Sequence, residues 1–134
     1  MKIVVLNMGL TGEPYLREGL TLYEKRIRHY IPFDMIYLSE PRQGKKLPEN
    51  KQKENEGRVI LSMLDQIDPP VLLDERGRQL NSVDFSNFLQ HAMNRGTRAL
   101  GFIIGGAFGF SGEVYQAVPD RISLSGMTFP HQMI

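Results

Sequence analysis

The chain has 134 residues, 41% of them apolar, and a formal net charge of +1, which suits one domain with a real core (1–134) and does not announce an indiscriminate nucleic-acid binder. It contains no cysteine, which excludes disulfides and thiolate metal sites and leans the reading towards the cytoplasm. No run approaches the roughly 18 apolar residues of a membrane span, and the strand-like opening Met1-Lys-Ile-Val-Val-Leu-Asn7 lacks the cleavage site of a secretion signal.

Residues 2–8 form a continuous apolar run with β-branched members, the pattern of a strand buried on both faces. Gly9 and Gly12 punctuate it. Leu16, Leu20, Tyr23 and Ile27 then recur at helical spacing, Pro14 suits the first turn, and Pro32 ends the helix. Residues 33–38 read as a second strand. The polar stretch 39–53, with Pro41, Gly44 and Pro48, is the longest candidate loop, and such a length signals function or mobility. The next helix is expected over 50–67, with Ile60, Met63, Leu64 and Ile67 as its stripe, stopped by Pro69 and Pro70.

A short buried strand follows at 71–74, with 75–78 as the turn after it. Ser82 is the expected N-cap of a helix carrying Phe85, Phe88, Leu89, Ala92 and Met93 on one face, closed by Gly96. Residues 99–104 are the fourth strand. Ser111 caps a short helix through Val118, Pro119 breaks it, and the fifth strand spans 121–125. Beyond Pro130 a fifth helix has barely begun at Ile134.

Strand and helix alternate throughout, which predicts an α/β fold: a mostly parallel sheet with helices on both faces. In such a sheet the functional loops lie at the carboxyl ends of the strands, here 74–77, 105–110 and 125–129. The second loop, Gly105-Gly-Ala-Phe-Gly109, is neither a dinucleotide fingerprint nor a phosphate loop, because the spacing is wrong and no Lys-Ser/Thr follows. A tight strand-to-helix turn explains Gly109. The adjacent Gly105 and Gly106 suggest a place where another group lies flat against the main chain. The third loop sets Met127, Thr128 and Phe129 beside Gly126, offering amides for a purine edge and apolar walls for its faces; packing into the core is the plainer alternative. A cofactor without phosphate is the better reading of that mixture.

No nucleophile triad or metal site is evident. His29, His91 and His131 are far apart and lack partners at ligand spacing, although His131 adjoins the expected pocket. Asp74 and Glu75 follow a strand end, where polar contacts and turn chemistry explain them equally well. Lys25, Arg26, Arg28 and His29 cluster, as do Arg42, Lys45 and Lys46. Each group is either solvated surface or a modest phosphate-contacting patch.

The segments Val71-Leu-Leu-Asp-Glu-Arg-Gly77, Ile103-Ile-Gly-Gly-Ala-Phe-Gly109 and Leu124-Ser-Gly-Met-Thr-Phe-Pro-His-Gln-Met133 resemble the matching segments of the RlmH family. The N-terminal strand and Tyr23-Glu-Lys-Arg26 also fit, so the resemblance spans essentially the whole chain. It implies a small SPOUT-class methyltransferase, with a trefoil knot at its carboxyl end, acting on N3 of pseudouridine 1915 in 23S ribosomal RNA. It also implies S-adenosyl-L-methionine as cofactor, a homodimer, and the assembled ribosome rather than naked RNA as substrate. By position, the implied cofactor contacts are Leu73, Gly105, Leu124, Ser125, Gly126, Met127, Thr128 and Phe129; no catalytic base is assigned. Family members continue into a further helix and a Tyr/His-rich tail, so truncation after Ile134 is expected. Two other classes stay open: a nucleotide-binding module with a phosphate at the Ser111 helix start, and a non-catalytic SPOUT-like interaction protein.

Overall fold

A computed structural model describes residues 1–9, 12–39 and 47–134. Five parallel strands, β1 (Lys2–Met8), β2 (Phe33–Leu38), β3 (Pro70–Gln79), β4 (Ala99–Ile104) and β5 (Arg121–Ser123), form one sheet in the order β2-β1-β4-β3-β5. The helices between them are α1 (Pro14–Arg28), α2 (Glu49–Met63), α3 (Ser82–Asn94) and α4 (Gly112–Ala117). Short 3-10 turns add Leu64–Gln66 and His131–Met133.

The alternation of β1 divides the core. Val4, Leu6 and Met8 point to one face, where they meet Leu72 and Ile103, Ile60 from α2, and Val114 from α4. Ile3 and Val5 point to the other, with Val71, Leu100, Phe102 and Ile122 under α3. There Phe85, Phe88 and Phe102 cluster with ring centroids 5.9–6.5 Å apart, an arrangement that adds quadrupolar attraction to apolar burial. Because β1→β2 and β3→β4 step in the same direction across the sheet, right-handed crossovers place α1 on the α3 face and α2 with α4 on the other.

Several boundaries differ from the sequence expectation. α3 is capped by Asn81, whose Oδ1 accepts the Asp84 N–H at 2.8 Å, and Ser82 is the first helical residue instead. Both residue types cap well, and here the Asn81 carbonyl already accepts the Phe85 N–H at 2.9 Å, which starts the helix one residue earlier. On α1, Leu16, Leu20 and Ile27 are half-buried, but Tyr23 is exposed.

The larger correction concerns 75–78, which is strand and not turn. Leu73 pairs with Ile122 and so does Arg78, so residues 74–77 form an extended bulge after which β3 resumes. The Asp74 carboxylate closes the bulge locally by accepting the Arg76 N–H at 2.8 Å. Gly77 makes resumption possible. A Cβ there would lie 2.6 Å from the main-chain carbon of Arg121 and the nitrogen of Ile122, so only glycine lets the two strands close.

Candidate cofactor crevice

The carboxyl ends of β3, β4 and β5 are neighbours in the sheet, and the loops leaving them converge on one open crevice of about 530 Å³, within the range of small-molecule sites. One wall is 105–110. It turns back on itself through the Gly109 N–H, which donates to the Gly106 carbonyl at 3.1 Å, and Gly109 takes φ +80. Phe110 folds beneath Gly105, its ring atoms 3.1–3.2 Å from where a Cβ would sit.

The opposite wall is 123–129, stapled by its own hydroxyls. Ser123 Oγ donates to the Ser125 carbonyl at 2.8 Å, and Ser125 Oγ accepts the Met127 N–H at 3.0 Å. Leu124, Met127 and Phe129 on this segment are all exposed, Met127 by 72%. Large apolar side chains grouped in solvent around a concavity mark a binding surface.

Of the eight positions expected to contact a cofactor, Leu73, Gly105, Leu124, Ser125, Met127, Thr128 and Phe129 line this crevice. Gly126 does not; a Cβ there would face Gln79 Nε2 at 2.9 Å, so its smallness serves the β3 end of the loop. The Ser125 hydroxyl is engaged within the loop. His131 lies on the lining, whereas His29 and His91 do not. Among the described residues no group of three or more His, Asp and Glu is arranged to hold a metal ion.

The floor carries a polar assembly that sequence reading left incomplete. The Tyr115 hydroxyl donates to Asp74 Oδ2, and the Arg121 guanidinium lies 4.3 Å above the Tyr115 ring. Burial, followed by the hydrogen bond and the Asp74 charge, pushes the Tyr115 phenol up to about 12 against the opposing pull of Arg121 and Arg76. Glu49 and Lys53, from the first turns of α2, complete the rim; Glu49 lies in the stretch that read only as loop, Lys53 where the expected loop and helix overlap.

Packing bears on two other sequence expectations. Ser111 is buried at the start of α4, its Oγ set 3.4 Å from the Val114 N–H that it caps, so that helix start is not an open phosphate seat. In the basic cluster, Arg28 donates from Nε to the Phe33 carbonyl at 3.1 Å and pairs with Glu24 at 3.2 Å; it ties α1 to β2. Lys25 and Arg26 are exposed, Arg26 over the Tyr23 ring at 5.4 Å. Arg42, Lys45 and Lys46 lie outside the described residues.

Residues 1–134 match the family model described as "Predicted SPOUT methyltransferase". Curated relatives named "Ribosomal RNA large subunit methyltransferase H" align over the whole chain. That of Porphyromonas gingivalis is 49% identical and that of Parabacteroides distasonis 44%, the alignment covering 85% of each relative. The protein of Cytophaga hutchinsonii is 40% identical over 86% of its length. The parallel α/β sheet, the three converging turns and full-length similarity agree: the chain belongs to the SPOUT methyltransferase family and, within it, to the RlmH group.

Proposed function

We propose that this chain is an S-adenosyl-L-methionine-dependent ribosomal RNA methyltransferase. In this reading it works as a homodimer on N3 of pseudouridine 1915 in 23S ribosomal RNA, within the large subunit or the 70S ribosome. The observation that carries the reading is the convergence of three carboxyl-end turns on a crevice with backbone edges and apolar walls. Such a lining fits an uncharged purine. Main-chain groups of 124–128 can meet its edge while Leu73, Ile104, Leu124 and Phe129 enclose its faces.

The bound cofactor would supply an electrophilic sulfonium methyl. The protein's task is then to hold the acceptor nitrogen against it and to help that weakly acidic imide release its proton. Among the described lining residues, Glu49, Asp74, Glu75 and His131 are able to take a proton. Tyr115 is not among them, since its phenol, pushed up to about 12, is protonated at neutral pH and donates to Asp74. Lys25 and Arg26, exposed on the outer side of α1, suit phosphate contacts.

The test pairs calorimetry with methyl transfer. The protein should take up S-adenosylmethionine and S-adenosylhomocysteine, and it should label ribosomes that lack the modification at N3 of pseudouridine 1915. Met127→Asp should abolish uptake while leaving the melting temperature unchanged, because that side chain is mostly in solvent. A folded protein that binds neither compound would end this reading, and binding without label on ribosomes would favour the non-catalytic one.

A further inference from the structure

Glu56 on α2 is only 2% exposed, and it lies behind the crevice rather than in it. A side chain at Gly106 would put its Cβ 2.6 and 2.7 Å from the two carboxylate oxygens. The missing Cβ at 106 therefore gives the carboxylate its seat. Gln52, one turn earlier, donates from Nε2 to Glu56 Oε1 at 3.2 Å and orients the group. The neighbouring Gly57 makes a second close approach, since a Cβ there would lie 2.5 Å from Ser111 Oγ and 3.2 Å from Val114 Cγ2.

Helix α2 thus docks near both ends of the 105–111 segment, each time where a glycine leaves room for the facing side chain. The group lying flat against Gly106 is the protein's own carboxylate. A helix needing only to fill space would carry an aliphatic residue at 56, because burying a carboxylate is costly unless the site is built around it. The same helix lends Glu49 and Lys53 to the crevice rim.

We propose that Glu56 is a positioning residue, whose carboxylate, seated on Gly106, fixes the glycine edge of the crevice in the geometry that receives the cofactor. Its consequence for binding rests on the reading of the crevice given above. The seat itself is decided by the free protein.

The experiment measures amide hydrogen exchange over 105–110, thermal stability, and S-adenosylhomocysteine affinity in the full-length protein. Glu56→Gln keeps the shape and should retain wild-type protection, with affinity within about threefold. Glu56→Ala should accelerate exchange at 105–110 but not in β1, and weaken binding about tenfold or more. Should Ala at 56 prevent folding, Glu56→Asp is the variant to read: it draws the carboxylate back from the turn and should speed the same amides.

Gly106→Ala should behave like Glu56→Ala, because its Cβ evicts the carboxylate. Glu56→Ala combined with Gly106→Ala should lose clearly less than the sum of the two single changes, since both remove the contact between Glu56 and Gly106. Additive losses, or wild-type exchange at 105–110 in the folded Ala or Asp variant, would overturn the proposal. If the wild type binds no S-adenosylhomocysteine, the cofactor reading fails, while exchange and the thermal cycle still decide the seat.

Discussion

Tyr115 and Asp74, 41 residues apart in the chain, are joined by a hydrogen bond at the floor of the crevice. The bond links α4, which follows β4, to the bulge of β3, so two of the three crevice turns share one polar contact. Asp74 serves both sides of it, since its other oxygen accepts the Arg76 N–H inside the bulge. Removing the phenol leaves a half-buried carboxylate with one donor fewer. Tyr115→Phe should therefore cost about 1–2 kcal/mol in urea unfolding, with the edge contact to Phe110 and the packing under Arg121 preserved. A change below about 0.3 kcal/mol would show that water replaces the hydroxyl without loss.

Burial of the same phenol, together with this bond, sets a pH dependence. Tyr115 ionises near 12 in the folded protein and near 10 in an unfolded chain, so its neutral form is the one the fold prefers. Its contribution to stability is fully present below about pH 10 and is lost as pH rises towards about 12. Unfolding free energy should fall across that window in the wild type and fall less steeply in Tyr115→Phe. Absorbance titration of tyrosinate should show the late-ionising phenol disappear in the variant. Equal slopes for the two proteins would contradict the assignment.

Two glycines with opposite surroundings give a sharp contrast. A Cβ on Gly77 would meet the main chain of Arg121 and Ile122, which cannot move aside without parting β3 from β5; among the described residues nothing lies within 4 Å of the corresponding point on Gly12. Gly77→Ala should destabilise by about 3 kcal/mol or more and disrupt the crevice. Gly12→Ala should stay within about 0.5 kcal/mol of the wild type. Thermal melts of the two variants decide the matter.

Strands β2 and β4 were legible to the residue because Pro32 sets the start of the alternating segment 33–38, while Gly96 and Gly105 bracket the apolar run 99–104. The crevice turns were legible for a topological reason: parallel alternation leaves the carboxyl ends of the strands as the place where loops meet. The β3 bulge was not, because a charged Asp-Glu-Arg-Gly run carries turn chemistry whether or not the strand resumes, and resumption depends on Gly77 sliding over β5. Nor was the seat of Glu56 or the partner of Asp74. Each contact joins elements distant in sequence, and no local periodicity encodes it.

The basic end of α1 separates charge that is available to RNA from charge already in use. Lys25 and Arg26 are exposed, whereas Arg28 holds the Phe33 carbonyl and Glu24. Each phosphate contact contributes about 0.7–0.9 to the dependence of log affinity on log salt. Replacing Lys25 and Arg26 together by Ala should thus reduce that slope by about 1.4–1.8, measured for ribosomal particles across a potassium chloride series, with the melting temperature unchanged. Arg28→Ala should do the reverse, lowering stability by about 1 kcal/mol while the slope stays put, because the guanidinium is part of the α1–β2 junction. A slope unaltered by the double change would remove this face of α1 from the RNA contact, and a slope altered by Arg28→Ala alone would mean that Arg28 leaves Glu24 and the Phe33 carbonyl when RNA arrives.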